Sequence, residues 1–376
     1  MKLLPRFLLA LAFTAGTLAH AAPVKQKPSK KHVKPKRTMP VHKVDYVGKQ
    51  VNFSEWQAVS DFADDLARRQ GFPRAELSEL IARTNYINSA VQLVKPGPPG
   101  KPKNMNAVRA LLIEAVRIDA GVKFWNEHAA TLARAEAAYG VPAEIIVGII
   151  GIETVYGRNT GRFRIVDVLT TLAFAYPDAH NKETRMAFFR GELENALVLA
   201  RKQNVDPFSL LGSFAGAIGL PQFMPGSVLA YGVDFDNDGV TDLRGSPADA
   251  IGSVANFLLH HGWKPEENGT LVYPAQLAPG GNFDFFIKQG LEAKFDFSVL
   301  AEAGVGIDVA PRLGRQYGLI DLQNGTDATE YWVSTNNFYA ITQYNRSYFY
   351  AISVIELGSA VRVARATTTV SAAETL

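Results

Sequence analysis

Hydrophobic and polar residues alternate along most of the chain with the period of an α-helix. Residues 54–71 (SEWQAVSDFADDLARRQG) place apolar side chains three or four positions apart, which predicts an amphipathic helix with Ser54 as its N-cap and Gly71 as its stop. Helical patterns continue through 106–118 and 122–139, and YFYAISVIELGSAVRVARA predicts a last helical or mixed segment.

Strand patterns are scarce by comparison. Short β-type runs, such as GTLVYPA and NFDFFIK, occur in a less regular stretch between residues 266 and 330. Helical segments therefore dominate, and the pattern predicts an α+β fold that is mainly α.

One segment, YGVPAEIIVGIIGIETVYG, is apolar on nearly every side, which is typical of a buried helix. Pro142 is suited to its start and Gly157 to its end. Gly148 and Gly151 lack side chains, so another backbone or a substrate can approach closely there.

Glu153 falls in the last turn of this predicted helix. Burial and the negative end of the helix dipole both disfavour its carboxylate, so both raise its pKa. A carboxylic acid that stays protonated near neutral pH can act as a general acid. An equally open alternative is a buried Glu that is hydrogen-bonded to a backbone group or to Arg162 or Arg164.

The segment DFDNDGVTD, residues 234–242, has the spacing of a calcium-binding loop of the EF-hand type. Gly245 stands at position twelve, where an EF-hand has a bidentate Glu, so the ligand set is incomplete at that position. An Asp/Gly-rich turn without metal is the alternative. The predicted ligands are the side chains of Asp234, Asp236 and Asp238 and the carbonyl of Val240, with Gly239 at the sharp turn.

Composition narrows the class of protein. The 376 residues are enough for two or three domains. The sequence has no cysteine, which excludes disulfides, thiol catalysis and thiolate metal sites. The net charge is +3, yet residues 1–43 contain ten Lys and Arg and no acidic residue, so the remainder is net negative. An acidic body argues against a nucleic-acid enzyme.

The N-terminus has the features of an export signal. Residues 1–21 combine a basic start, an apolar stretch and Ala19-His20-Ala21, a small-x-small cleavage site. An uncleaved membrane anchor is the alternative. Residues 22–50 are rich in Lys and Pro and predict a disordered, solubilising tail, with weak adhesion to anionic envelope polymers or lipids as the alternative. We expect a periplasmic monomer without a lipid anchor, since that anchor needs a cysteine.

Several long motifs together resemble the lytic murein transglycosylase B family. YGVPAEIIVGIIGIETVYG, GSFAGAIGLPQFMPGS, VDFDNDGVTDL, PADAIGSVANFLLHHGW and NFYAITQYNRS occur in the order found in that family. The resemblance extends from about residue 50 to 365.

The resemblance implies a fold and an activity. It implies a lysozyme-like catalytic core, here 141–265, with an added α-helical domain at 51–140 and a C-terminal part, 266–376, that completes the cleft. The activity would be cleavage of the β-1,4 bond between N-acetylmuramic acid and N-acetylglucosamine in peptidoglycan. The muramoyl C6 hydroxyl attacks C1 and leaves a 1,6-anhydro end, so Glu153 serves as the single acid and base without a cofactor.

The resemblance also implies site residues. Ser213, Gln222, Tyr344, Asn345 and Tyr350 match substrate-binding positions of the family. Phe223 is also expected at the substrate, where it could stack on a sugar face, although buried aromatic residues are more commonly core. It implies a structural calcium ion whose loop is closed by Asp249, with spacing one residue longer than in the family. Phe257 stands where the family has a Tyr.

Three alternatives remain. A hydrolytic muramidase on the same fold differs only in whether water competes with the C6 hydroxyl. A non-catalytic peptidoglycan-binding scaffold would gain nothing from a buried acid. A calcium sensor is disfavoured, because sensor EF-hands occur in pairs and one loop is visible. After Glu153 the next acid is Asp167, which is interpreted as structural.

Overall fold

The computed structural model describes residues 51–95 and 102–373, with side chains to residue 367. The predicted export signal and basic tail lie outside the described residues. Within them, helices predominate and strands are short apart from one hairpin, which confirms the α+β, mainly α prediction.

The helices follow one another closely along the chain. In order, α1 to α15 span Gln57–Gln70, Arg74–Ala82, Asn88–Leu93, Met105–Leu112, Ala115–Glu127, Ala129–Tyr139, Ala143–Thr154, Ile165–Phe174, Lys182–Gln203, Pro225–Tyr231, Pro247–His260, Asp284–Ile287, Phe297–Glu302, Asn336–Tyr344 and Tyr348–Ala373.

The strands of the described residues form three antiparallel sheets. The largest has the order β3-β8-β7-β5, while β1 pairs with β2 and β4 with β6. In chain order, β1 to β8 span Phe163–Arg164, Leu211–Gly212, Val272–Pro274, Gln276–Leu277, Phe295–Asp296, Val305–Gly306, Gln316–Asn324 and Asp327–Thr335.

The boundaries of α1 correct one prediction and confirm another. Gly71 ends the helix in the left-handed conformation, with φ 67°, as its missing side chain allows. Ser54 is not the N-cap: it lies in a single 3-10 turn, Phe53–Glu55, that Asn52 caps through its side chain. Trp56 precedes α1 without a side-chain cap.

Of the two predicted β-type runs in the C-terminal third, one contains a strand and the other forms a helix. GTLVYPA contains β3, as expected, but NFDFFIK forms the short helix α12 rather than a strand. Phe286 of that helix is buried in a small second core with Leu300, Tyr317 and Val333, so packing of aromatic side chains determines its conformation. The long hairpin β7–β8 was not predicted.

Helix α7 lies at the centre of the larger core. From Ile145 to Thr154 every residue is buried, as its apolar sequence predicts. It packs along α15, where a Cβ at Gly148 would overlap the Val354 carbonyl oxygen and a Cβ at Gly358 would overlap that of Glu144. Both helices therefore approach through glycine, and the chain's last helix covers the predicted catalytic segment.

Across the described residues, no single helix is long and apolar enough to span a membrane; α6 and α7 pass such a test only as a pair, bent by 115°.

Candidate active site

Glu153 lies in the last turn of α7, as predicted, and its side chain is only 4% exposed. The helix ends at Thr154, before the predicted Gly157. Val155 and Tyr156 adopt left-handed conformations, with φ 52° and 56°, which are strained for β-branched and bulky residues. The Tyr156 ring packs on Phe124, with centroids 5.2 Å apart, so tertiary packing supports this turn.

The environment of Glu153 favours its neutral form. Burial raises its pKa from 4.5 to about 8, and a hydrogen bond from the Tyr350 hydroxyl to Oε1, at 2.7 Å, acts weakly in the opposite direction. No charged neighbour among the described residues moves this pKa. Glu153 is therefore protonated at neutral pH and lies within reach of one phenol donor.

Arg162 and Arg164 are not partners of Glu153. Arg164 donates from Nε to Asp167 at 2.6 Å, and the other oxygen of that buried carboxylate accepts from the Asn85 backbone N–H at 2.9 Å. Asp167 thus fastens α8 to the segment after α2. The interpretation of Asp167 as structural agrees with these contacts.

Tyr350 and Tyr344 form the wall beside Glu153. Their rings stack with centroids 6.2 Å apart and an interplanar angle of 12°. The Tyr344 hydroxyl donates to the Pro221 carbonyl. Burial raises the pKa of both phenols well above its usual value, and Glu153 adds to this effect. Both tyrosines therefore keep their protons, and remain donors, to higher pH than an exposed tyrosine does.

The glycine-rich loop, residues 212–227, packs against this wall. Phe223 is buried against Tyr344, with centroids 5.7 Å apart, and against Phe257 at 5.4 Å. It therefore packs as core at this wall. Phe257 in turn stacks on His261 at 3.8 Å. The rings of Tyr350, Tyr344, Phe223 and Phe257 form one continuous aromatic contact that begins at Glu153.

Ser213 stabilises the loop from within. Its hydroxyl oxygen accepts from the backbone N–H groups of Ala215 and Ala217, at 3.3 and 3.0 Å, and the side chain is fully buried. Ser213 holds the turn that carries Gly216, whose φ is 92°. Its predicted contact with substrate stays a prediction.

Two side-chain amides near this wall have unused hydrogen-bonding capacity. Gln222 donates to the carbonyls of Gly219 and Thr160, at 2.8 and 3.3 Å, but its Oε1 is buried without a partner. Asn345 follows Tyr344 directly, and its Nδ2 is likewise buried without a partner. Buried polar atoms are rarely unsatisfied, so an acceptor and a donor are available here for a ligand or for water.

Thr154 belongs to this site although the sequence did not single it out. Its hydroxyl lies 2.9 Å from the Leu220 carbonyl and accepts from the Gly157 N–H at 3.0 Å. It therefore joins the end of α7 to the glycine-rich loop. The sequence signal that could have identified Thr154 is a hydroxyl residue directly after a predicted buried acid.

The Asp-rich loop, residues 234–245, and the start of α11 together bring three of the predicted ligands close to one another. Carboxylate oxygens of Asp234, Asp236 and Asp249 lie within 4.8 Å of one another. Asp238 lies outside this group, and one of its oxygens accepts from the Val240 N–H at 2.8 Å. Three converging carboxylates are suited to a hard divalent cation.

The Asp249 carboxylate also stabilises the loop by accepting hydrogen bonds from the loop's backbone. It is buried near the start of α11, and its two oxygens accept from the N–H groups of Phe235 and Asp242, at 2.8 and 2.7 Å. Asp249 lies beside Asp234 and Asp236 despite the extra residue of spacing, and its role as a metal ligand stays a prediction. Gly239 has φ 94°, as the sharp turn requires.

Comparison with known proteins relates this chain to an enzyme family. The chain matches the Transglycosylase SLT domain family over residues 54–359. It is 40% identical over 335 residues, 87% of this chain and 88% of the relative, to membrane-bound lytic murein transglycosylase B of Escherichia coli (strain K12).

Solved structures agree with the sequence comparison. The soluble lytic transglycosylase SltB1 from Pseudomonas aeruginosa superimposes with a TM-score of 0.74 at 41% identity, covering 82% of this chain and 99% of that one. The Escherichia coli lytic transglycosylase Slt35 in complex with calcium gives a TM-score of 0.73 at 39% identity, covering 84% and 96%. These matches confirm the lysozyme-like fold class, and this chain is a member of the lytic murein transglycosylase family.

Proposed function

We propose that this protein is a peptidoglycan lytic transglycosylase that cleaves the β-1,4 bond between N-acetylmuramic acid and N-acetylglucosamine. The observation that carries the proposal is Glu153, a buried acid with a pKa of about 8 and no charged neighbour among the described residues. Two-carboxylate glycosidases need a second acid within about 10 Å. An intramolecular nucleophile removes that need.

The reaction uses Glu153 twice. In its neutral form it donates a proton to the glycosidic oxygen as the bond to C1 breaks. The resulting carboxylate then accepts the proton of the muramoyl C6 hydroxyl, whose oxygen forms the new bond to C1. The proton balance closes, and Glu153 returns to its neutral form without the addition of water.

The surroundings of Glu153 support both steps. The Tyr350 hydroxyl remains a donor and stabilises the carboxylate between the two transfers. Burial favours return of the proton. Because the C6 hydroxyl belongs to the same sugar, its effective concentration exceeds that of a bound water.

Substrate binding is assigned to the residues expected from the sequence, namely Ser213, Gln222, Phe223, Tyr344, Asn345 and Tyr350. The free Oε1 of Gln222 and free Nδ2 of Asn345 supply an acceptor and a donor. The acetamido groups of both sugars offer the complementary N–H and carbonyl. Tyr344 is half-buried, and a tyrosine ring is suited to stack on a sugar face.

Digestion of purified peptidoglycan tests the proposal. Mass spectrometry of the muropeptides should show products lighter by one water than reducing-end forms. Glu153→Gln should lower the rate by at least about a thousandfold, because the carboxamide cannot transfer the proton. Glu127→Gln, a solvent-exposed change on α5, is the matched control and should retain full activity.

Other products would lead to different conclusions. Reducing ends instead of anhydro ends would identify a hydrolytic muramidase and require a second carboxylate. Full cleavage by Glu153→Gln would exclude Glu153 as the acid. Binding to peptidoglycan without any product would assign the protein to the non-catalytic scaffold class.

We further propose a structural calcium ion in the Asp-rich loop, held by Asp234, Asp236 and Asp249, with Asp238 and the Val240 carbonyl as the remaining predicted ligands. The convergence of three carboxylates supports it, as does the similarity to a transglycosylase whose structure contains calcium. Calcium should raise the melting temperature by several degrees, and Asp236→Ala should abolish that rise. An unchanged rise in Asp236→Ala would place the ion elsewhere.

The proposed location is the cell envelope, where peptidoglycan occurs. The relative from Escherichia coli is membrane-bound by name, and the N-terminal residues of this chain predict export to the periplasm. The proposed partner is the glycan strand, bound by a monomer.

A further inference from the structure

We propose that Arg244 is a positioning residue that joins the Asp-rich loop to the catalytic cleft, so that calcium in the loop and glycan in the cleft strengthen each other's binding. This inference rests on the proposed function and on the proposed calcium site. It assigns a role to a residue that contacts neither ligand.

The guanidinium of Arg244 spans two separate segments. Nη1 donates to the Leu211 carbonyl at 3.2 Å, and Nη2 donates to the Gly161 carbonyl at 3.0 Å. Burial lowers the pKa of this guanidinium, and the charge of the nearby Asp242 carboxylate acts in the opposite direction. A half-buried arginine that bonds two backbone carbonyls fixes their separation, because its donors have a rigid planar geometry.

Both carbonyls belong to the frame of the cleft. Leu211 begins β2, which leads into the loop of Ser213, and Gly161 lies just before β1, in the segment that follows α7. A Cβ at Gly161 would overlap the Gly212 carbonyl, so the two backbones touch directly. Gln222 bonds the neighbouring carbonyl of Thr160. Arg244 and Gln222 thus hold adjacent carbonyls of one segment.

The residue before Arg244 makes a second connection. The Leu243 carbonyl accepts from the Leu220 N–H at 2.8 Å, and the Leu220 carbonyl lies 2.9 Å from the Thr154 hydroxyl. Thr154 adjoins Glu153. Residues 243 and 244 therefore fasten the Asp-rich loop both to the glycine-rich loop and to the segment after the catalytic acid.

The proposed ion is connected to Arg244 through two carboxylates. Asp249, one of the three converging acids, accepts from the Asp242 N–H. Asp242 in turn accepts from the Arg244 N–H at 2.9 Å. An ion that fixes Asp249 therefore restricts Asp242 and the backbone of Arg244. A glycan that orders the cleft restricts the same arginine from the other end, and binding linkage of this kind is reciprocal.

Calcium titration with and without a glycan measures this coupling. We would use the Glu153→Gln variant, which cannot cleave its ligand, and a tetrasaccharide of alternating N-acetylglucosamine and N-acetylmuramic acid as the probe. A saturating probe should lower the calcium Kd at least about fivefold. In a variant that carries Arg244→Met as well as Glu153→Gln, calcium should still bind, but the probe should change its Kd by a factor near one.

Two further variants separate positioning from general stability. Arg244→Lys keeps the charge but not the planar pair of donors, and should show an intermediate factor. Arg201, which lies on α9 away from the cleft, also donates to a backbone carbonyl, that of Gln70. Arg201→Met is therefore the matched control and should keep the full factor.

The proposal would be overturned if Arg244→Met left the effect of the tetrasaccharide on the calcium Kd unchanged. It would also be overturned if the Glu153→Gln protein bound both ligands and the tetrasaccharide did not change the calcium Kd. A Glu153→Gln protein that binds no calcium would overturn the proposal together with the calcium site. Failure of the wild-type protein to release anhydro products, with coupling intact, would instead count against the proposed reaction and leave the role of Arg244 standing.

Discussion

The contact between Glu153 and Tyr350 combines a local effect with a distant one. Burial and position in the last turn are local, so the sequence of α7 was sufficient to predict a raised pKa. The phenol comes from 197 positions further along the chain. No local pattern could identify it as the hydrogen-bond partner, and only the resemblance placed Tyr350 in the site.

Other residues show the same division. Asp167 lies in the first turn of α8, where an acid is expected to be structural, although its acceptance from Asn85 required the fold. Ser213 and Phe223 were predicted at the site, and their contacts in this structure are to the protein itself. Burial of such side chains depends on which elements pack together, and spacing along the chain does not record it.

The raised pKa of Glu153 should make stability depend on pH. The folded state keeps the proton up to about pH 8, while the unfolded chain loses it near pH 4.5. This group's contribution is therefore complete below about pH 4.5 and is lost as pH rises towards 8. Glu153→Gln removes the dependence. The free energy of unfolding of the variant, minus that of the wild type, should therefore increase by a few kcal/mol between about pH 5 and pH 9, because only the wild type loses stability.

Urea unfolding at both pH values provides the measurement. Glu127→Gln, which changes an exposed carboxylate, should show no such growth. A constant difference between Glu153→Gln and wild type across this range would contradict the raised pKa.

At the scale of elements, the contact between α7 and α15 depends on glycine. Gly148 and Gly151 were predicted to permit a close approach, by either backbone or substrate. The structure has Gly148 against the Val354 carbonyl, and Gly151 against the Tyr156 hydroxyl and Leu357. The close neighbours of both glycines are therefore other parts of the protein.

A methyl group at Gly148 should separate these helices. Gly148→Ala would overlap a backbone oxygen that cannot rotate away, so we expect a loss of about 1–3 kcal/mol in the free energy of unfolding. Gly191 in α9 has open space around its Cβ position. Gly191→Ala is the matched control and should gain about 0.5–1 kcal/mol, because alanine favours a helix.

Chemical denaturation distinguishes the two variants, and equal stabilities would contradict the packing described for α7 and α15. Activity supplies a second measurement. Displacement of α15 moves Tyr350 away from Glu153, so Gly148→Ala should also lower the cleavage rate.

The strands show where local patterns are insufficient. NFDFFIK has β-type residues but forms α12, because Phe286 completes a small core. The hairpin β7–β8 turns at Gly325, with φ 69°. The two residues between the strands are Gly325 and Thr326, and glycine at the first position of such a loop is a hairpin signal that the sequence contains.

At the scale of the whole molecule, the larger core combines residues from distant parts of the chain. Phe53, Leu132, Ile146 and Ile341 all belong to it, so each of the three predicted segments after residue 50 contributes. Division into domains at residues 140 and 265 stays a prediction, since sequence boundaries reflect changes in composition and not shared packing.

Arg109 joins the hairpin to α4 and α15. It bonds Glu330 of β8 at 2.6 Å and Glu356 of α15 at 2.9 Å. Its hydrogen bonds lower the pKa of Glu330 to about 2. Helix α15 also contacts the sheet directly, since the Tyr348 hydroxyl donates to Asp321 at 3.3 Å. The same helix therefore contacts the sheet and supports the catalytic acid.

The separation of α7 and α15 along the chain has a consequence for synthesis. Glu153 leaves the ribosome almost 200 residues before its hydrogen-bond partner, and the helix that covers α7 is made long after α7 itself. A nascent chain interrupted before residue 348 lacks Tyr350 and the surface against which α7 packs. The ability to cut a glycan strand is therefore acquired only after α15 has been translated.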